Sequence, residues 1–213
     1  MAVARYRYHE VRKVGLAEVA PRLAEVVGDV AAARAYSGDI YGSMLTGSLV
    51  HTSTVIVTRE RLQSVGGFDE SLRIAGEDYD FHLRTCRNGA VAFADLPTTL
   101  YQRGGPDQLT RPEYAVHRAK NFLATVERAL ASDGNRCPLP PSAVRGVLAE
   151  AHEWVASTAL DAGEHAHARA HYLEALRRRP GRLDLLPMLA VAALSPRAAS
   201  SVRRLYRRLK SRA

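Results

Sequence analysis

Five carboxylates crowd the stretch from Asp69 to Asp80: Asp69, Glu70, Glu77, Asp78 and Asp80. A carboxylate at the mouth of a cleft can take the proton of an attacking hydroxyl. It can equally cap a helix, because a helix N-terminus presents unpaired N–H groups and the positive end of a dipole. Asp78 suits both roles, since an amphipathic segment, Phe81 to Arg87, lies just after it. Asp78-Tyr79-Asp80 is formally Asp-x-Asp. Residues two apart on a helix do not face each other, so a metal shared by Asp78 and Asp80 is not expected.

The elements that must position these acids can be read from local pattern. Thr54 to Thr58 is β-rich and predicts a strand; Arg59 to Val65 predicts a short helix. Gly66-Gly67 permits a sharp turn, and Phe68 is the apolar residue expected to plug the core beneath it. A helix closes the motif as Tyr79–Arg87 with Asp78 as its cap, ended by Asn88-Gly89, both tolerant of left-handed backbone. Upstream, Leu16 to Tyr36 has helical spacing interrupted by Pro21, Ser37-Gly38-Asp39 is a break, and Ile40 to Leu45 predicts a short helix. Downstream, Ala90–Ala94 and Thr98–Tyr101 predict strands, and Gly104 to Asp107 predicts a loop. From Arg111 the apolar positions Tyr114, Phe122, Val126 and Leu130 recur at helical spacing. Ser132 to Asn135 ends that helix; Pro138, Pro140 and Pro141 mark a boundary, with Ser142 expected to cap the next helix.

Gly-Gly-Phe-Asp-Glu-Ser-Leu followed closely by Glu-Asp-Tyr-Asp, with a basic helix behind, resembles the second half of family-two glycosyltransferases. The resemblance runs from Gly47, through His51-Thr52-Ser53 and Tyr101-Gln102-Arg103, to Thr110. It implies a partial GT-A-like domain of α/β (α+β) class and inverting transfer of a sugar from a nucleotide-sugar donor to an acceptor hydroxyl. Asp78 would be the base and Glu77 its helper. Asp69, Glu70, His51 and Thr52 would line the cleft, and Arg103 or Gln108 would face the diphosphate. Magnesium or manganese is the implied metal, yet its ligands are not visible in this chain: no Asp-x-Asp stands in the first half, and no histidine follows Tyr101-Gln102-Arg103. Nothing before Gly47 resembles the donor-binding half. The expectation is a chain that carries acceptor-side and base residues and lacks the donor site.

A second resemblance lies near residues 150–180. Ala156 and Ala159, Gly163-Glu164, then Ala168, Tyr172, Ala175 and Pro180 fall at the positions of one tetratricopeptide repeat. The expected organisation is therefore a GT-A-like portion over residues 1–136 and a helical extension over residues 137–213. The alternative function is a non-catalytic binding or scaffold protein that works through this extension. His165, His167 and His171 share an Arg-rich helix and are expected to be solvated rather than to hold a metal. In the tail, Val202, Leu205, Tyr206 and Leu209 form one apolar face among arginines. A basic amphipathic helix can dock by that face or lie on an anionic membrane.

Composition bounds the rest. The 213 residues are 46% hydrophobic and carry a net charge of +8, much of it after Arg177. Two cysteines, Cys86 and Cys137, argue against a disulfide framework and fit a reducing cytoplasm. No apolar run is long enough to span a bilayer, and the first residues lack the core of a secretory signal. The expected location is cytoplasmic, peripheral at the inner face of the cell membrane. The expected partner is a sugar acceptor that is lipid-linked, polysaccharide or protein. Nucleic acid is not expected, because no aromatic stacking surface accompanies the charge.

Overall fold

The computed structural model describes residues 35–72, 74–87, 89–94, 99 and 111–194. Two short strands, β1 (Ala35–Gly38) and β2 (Val91–Ala94), pair antiparallel with Ala35 opposite Ala94 and Gly38 opposite Val91. The other elements are helical. In order they are α1 (Tyr41–Leu45), α2 (Arg59–Val65), α3 (Glu77–Arg87), α4 (Ala115–Asp133), α5 (Pro141–Asp161), α6 (His165–Arg178) and α7 (Leu186–Ala193). The coarse expectation of mixed α and β structure holds. The described residues show helices and one ribbon, and no GT-A fold.

Several local expectations are corrected. The run Thr54–Thr58 is not a strand: Thr52–Thr54 is a single 3-10 turn, and the chain from Val55 to Thr58 is unpaired. A strand needs a partner for its N–H and C=O groups, and among the described residues only β1 and β2 pair. Ile56 is fully exposed as a result. Ala35 to Gly38, expected as a helix end and a break, is β1, because it finds β2 alongside. Asp78 lies inside the first turn of α3 rather than before it, since the helix begins at Glu77. Ser142 is not a cap: Pro140 occupies that position and Pro141 stands in the first turn, where its missing N–H costs nothing. Phe68 is not a core plug. It stays half-exposed and packs on Phe81 with ring centroids 4.6 Å apart. The expected helix before Ala35, most of the strand at Thr98–Tyr101, the loop at Gly104–Asp107 and the basic tail lie outside the described residues.

The core forms where four helices meet. Tyr41, Met44 and Leu45 of α1 pack with Tyr79, Leu83 and Cys86 of α3, Val126 of α4 and Val147 of α5. Tyr79 stacks on Phe122, and its hydroxyl donates to the Met44 carbonyl at 2.8 Å. Burial pushes the Tyr79 and Cys86 acids up, the Cys86 thiol to about 11. Beneath α1, the buried Asp133 accepts from Tyr41 Oη and from Arg87 Nε at 2.6 Å. This cluster crosses residue 137, so α5 is part of the same core as the acidic motif.

Residues 141–193 form a helical layer. Gly163 takes φ +81° between α5 and α6, which lets the chain reverse. Ala156, Ala159, Ala168 and Ala175 are fully buried, and their small side chains let the two helices approach around Tyr172. Leu185, Val191 and Ala192 close this second cluster from α7 and the turn before it.

Candidate functional site

The acidic stretch is shaped by two glycines. Gly66 ends α2 with φ +76°, and its N–H bonds the Leu62 carbonyl. Gly76 stands just before α3 with φ +98°, and a Cβ there would meet Asn121 Cβ at 3.1 Å. Asn121 Nδ2 in turn donates to the Ala75 carbonyl at 2.5 Å. Gly76 thus lets α3 begin hard against α4, which fixes where Glu77 and Asp78 stand.

Two arginines hold two of the acids. Asp80 is buried, accepts from Arg84 Nε at 2.8 Å and lies 3.7 Å from an Arg128 nitrogen. Arg84 also donates to the carbonyls of Val65 and Gly67, tying α3 to the Gly-Gly turn. Asp69 accepts from the Ser71 hydroxyl at 2.6 Å, from the Ser71 N–H at 3.0 Å and from Arg128 Nη1 at 2.9 Å. The Ser71 hydroxyl, followed by Arg128, lowers its carboxyl to about 2. Asp69 therefore closes an Asx-type turn and clamps the loop to α4. Glu70 beside it is exposed.

Asp78 is engaged differently. It is half-buried, its Oδ1 accepts the Tyr79 N–H at 2.7 Å, and no arginine among the described residues pairs with it. Four residues on, and so on the same helix face, is the buried His82. His82 Nε2 lies 3.1 Å from the Thr52 hydroxyl. Burial lowers the His82 pKa, and the Asp78 charge pushes it back up. Glu77 Oε2 is buried with no hydrogen-bond partner among the described residues. Thr99 Oγ1 lies 3.5 Å from the Ser53 carbonyl of the same turn.

The expected site residues thus divide. His51 and Thr52 sit on the turn beside His82, which shares a helix face with Asp78. Asp69 is turned to Ser71 and Arg128. Arg103 and Gln108 lie outside the described residues. Asp78 and Asp80 face different partners, the Tyr79 N–H and Arg84. Among the described residues no group of three or more His, Cys, Asp or Glu is arranged to hold a metal.

No family model, curated protein or solved structure matches this chain. Function is therefore read from the site itself. Three residues in it were not singled out from sequence: His82, Arg84 and Arg128. The first two carried a signal, because each stands four residues after an acid, Asp78 and Asp80. Arg128 gave none, since its contact with Asp69 crosses 59 positions of chain. Among the histidines expected to be solvated, His167 is exposed and pairs with Glu164, but His171 is half-buried against His152. Among the described residues no helix is long and apolar enough to cross a membrane.

Proposed function

We propose that this chain is a glycosyltransferase-type protein of the family-two kind. It supplies the base and acceptor contacts for inverting transfer from a nucleotide sugar to a hydroxyl. One observation carries the reading. The Thr52–His82 contact joins the His51–Thr54 turn to the face of α3 that bears Asp78. Two motifs far apart in sequence thereby share one small polar surface. Asp80 and Asp69 are neutralised by arginines, which leaves Glu77 and Asp78 as the motif's half-buried acids without a cationic partner among the described residues. Of these two, Asp78 shares its face with His82.

In this reading the acceptor hydroxyl approaches Asp78, which takes its proton as the oxygen bonds to the anomeric carbon. The nucleoside diphosphate leaves with the electrons of the broken bond. A base so positioned contributes roughly 10²–10⁴-fold. Thr52 and His82 hold the adjoining wall, and Glu77, next in sequence to the base, keeps one carboxylate oxygen buried and unpaired among the described residues. Arg103 and Gln108 are the proposed diphosphate contacts.

Amide spectra of the protein titrated with a panel of mono- and oligosaccharide acceptors test the site. Shifts centred on Thr52, Asp78 and His82 support it; shifts confined to α6 and α7, or none, count against it. The second reading, a helical binding protein, is favoured by the separate cluster that α5, α6 and α7 bury around Tyr172. Shifts confined to α6 and α7 on adding a partner peptide, with no saccharide effect, would favour that reading.

A further inference from the structure

His152 of α5 and His171 of α6 face each other across the helix contact, Nδ1 to Nδ1 at 2.9 Å. His152 is only 5% exposed. Two neutral imidazoles in this arrangement leave room for one proton between two nitrogens, so one Nδ1 must accept from the other. On the far side of the ring, His152 Nε2 is buried, makes no hydrogen bond among the described residues and stands 3.9 Å from Glu127 Oε1 of α4.

We propose that His152 and His171 form a binding site for a divalent transition metal of the zinc type, held by the two Nδ1 atoms. Zinc–nitrogen bonds of about 2.0–2.1 Å put two nitrogens on one tetrahedral ion roughly 3.3 Å apart. The observed pair must open by a few tenths of an ångström, and each ring must turn so that its Nδ1 lone pair aims at the ion instead of along the line to the other nitrogen. With the metal on Nδ1, each ring carries its proton on Nε2. For His152 that N–H then points toward the Glu127 carboxylate, the outer partner that metal-ligating histidines usually have. The unpaired Nε2 of the metal-free pair thereby gains a use.

Availability of the lone pairs is also favoured. Burial and the Arg178 charge lower His152 to about 4, and burial and His167 lower His171, so both rings are neutral at pH 7. Glu127 and Glu174 partly offset the positive charge of Arg178 and Lys120, whose effect on the pair is the larger. His171 and Glu174 border a shallow hollow of about 260 Å³ on the outer face of α6. Water would complete the shell, since the Glu174 carboxylate is held by Arg177. With two histidine ligands the site holds its ion modestly and reversibly. The exposed His167 is a separate group, occupied by Glu164 at 3.0 Å.

Thermal unfolding at pH 7.5 with and without excess zinc chloride tests the proposal. Zinc should raise the melting temperature by a few degrees, because a ligand that binds only the folded state stabilises it. The rise should vanish in His152→Gln and in His171→Gln and persist in His167→Gln. No rise in the unaltered protein, or a rise kept in His152→Gln and lost in His167→Gln, overturns it. Imidazole nitrogen spectra of the unaltered protein need no folded variant. Zinc should move the Nδ1 signals of His152 and His171 and set both rings as Nε2–H; unmoved signals contradict the site.

Discussion

Each acid of the motif has a distinct environment, and the environments sort their roles. Asp80 is buried between arginines, so removing it would strand their charge; its work is structural. Asp69 is bonded to Ser71 and Arg128. Asp78 has no arginine partner among the described residues, which is why we propose it as the base. His152 gives a prediction at the same scale. Its folded pKa is about 4 against an ordinary 6.5, because burial disfavours the charged ring. As pH falls below 6.5 the unfolded chain takes up the proton first, so stability declines until pH passes about 4. Each pH unit of that interval is worth up to about 1.4 kcal/mol. Melting temperature measured from pH 7 to pH 4 should show this fall, and His152→Gln should flatten it. Part of the stretch was legible in sequence: the Glu77-Asp78 pair and His51-Thr52-Ser53 stood out as motifs, although the latter was expected to lead into a strand and instead forms a turn. The arginines that silence Asp69 and Asp80 were not singled out, and Arg128 reaches them across a long stretch of chain.

At the scale of elements, α3 is the organising helix. Its inner face supplies Tyr79, Leu83 and Cys86 to the core, and its end is held by the Arg87–Asp133–Tyr41 network. Asp133→Ala leaves Arg87 and the Tyr41 hydroxyl without their shared acceptor. The expected cost is about 3–5 kcal/mol, read from denaturant unfolding. Arg84 joins α3 to the Gly-Gly turn through two carbonyls. Arg84→Met should therefore speed amide exchange across residues 66–72 more than across α4; equal protection in both proteins would refute that link. Helices were well legible, because periodicity and breakers are local signals: α1, α2, α4 and the α5–α6 reversal fall where patterns predict them. Strands were less so. Thr54 to Thr58 has β-type residues, but strand formation depends on a partner elsewhere in the chain, and Ile56 ends in solvent.

At the scale of the whole molecule, the main core draws on α1, α3, α4 and α5 together. A second layer at Ala119, Leu123, Ala151 and Val155 joins α4 to α5. Urea unfolding should thus be a single transition by both circular dichroism and tryptophan fluorescence from Trp154. Two separated transitions would mean that the parts on either side of residue 137 fold independently. The helix pair α5–α6 was legible because small residues and Gly163 mark a tight reversal; its attachment to the acidic motif through α4 was not, since that packing joins segments with no local signature. We propose Asp78 as the base of a sugar transfer. The most direct test is release of nucleoside diphosphate from a panel of nucleotide sugars, with magnesium or manganese and candidate acceptors, by the protein and by Asp78→Asn. Release that falls roughly 10²-fold or more in a folded Asp78→Asn variant is the predicted result. Absence of release by the unaltered protein with every donor, or undiminished release by Asp78→Asn, would contradict it.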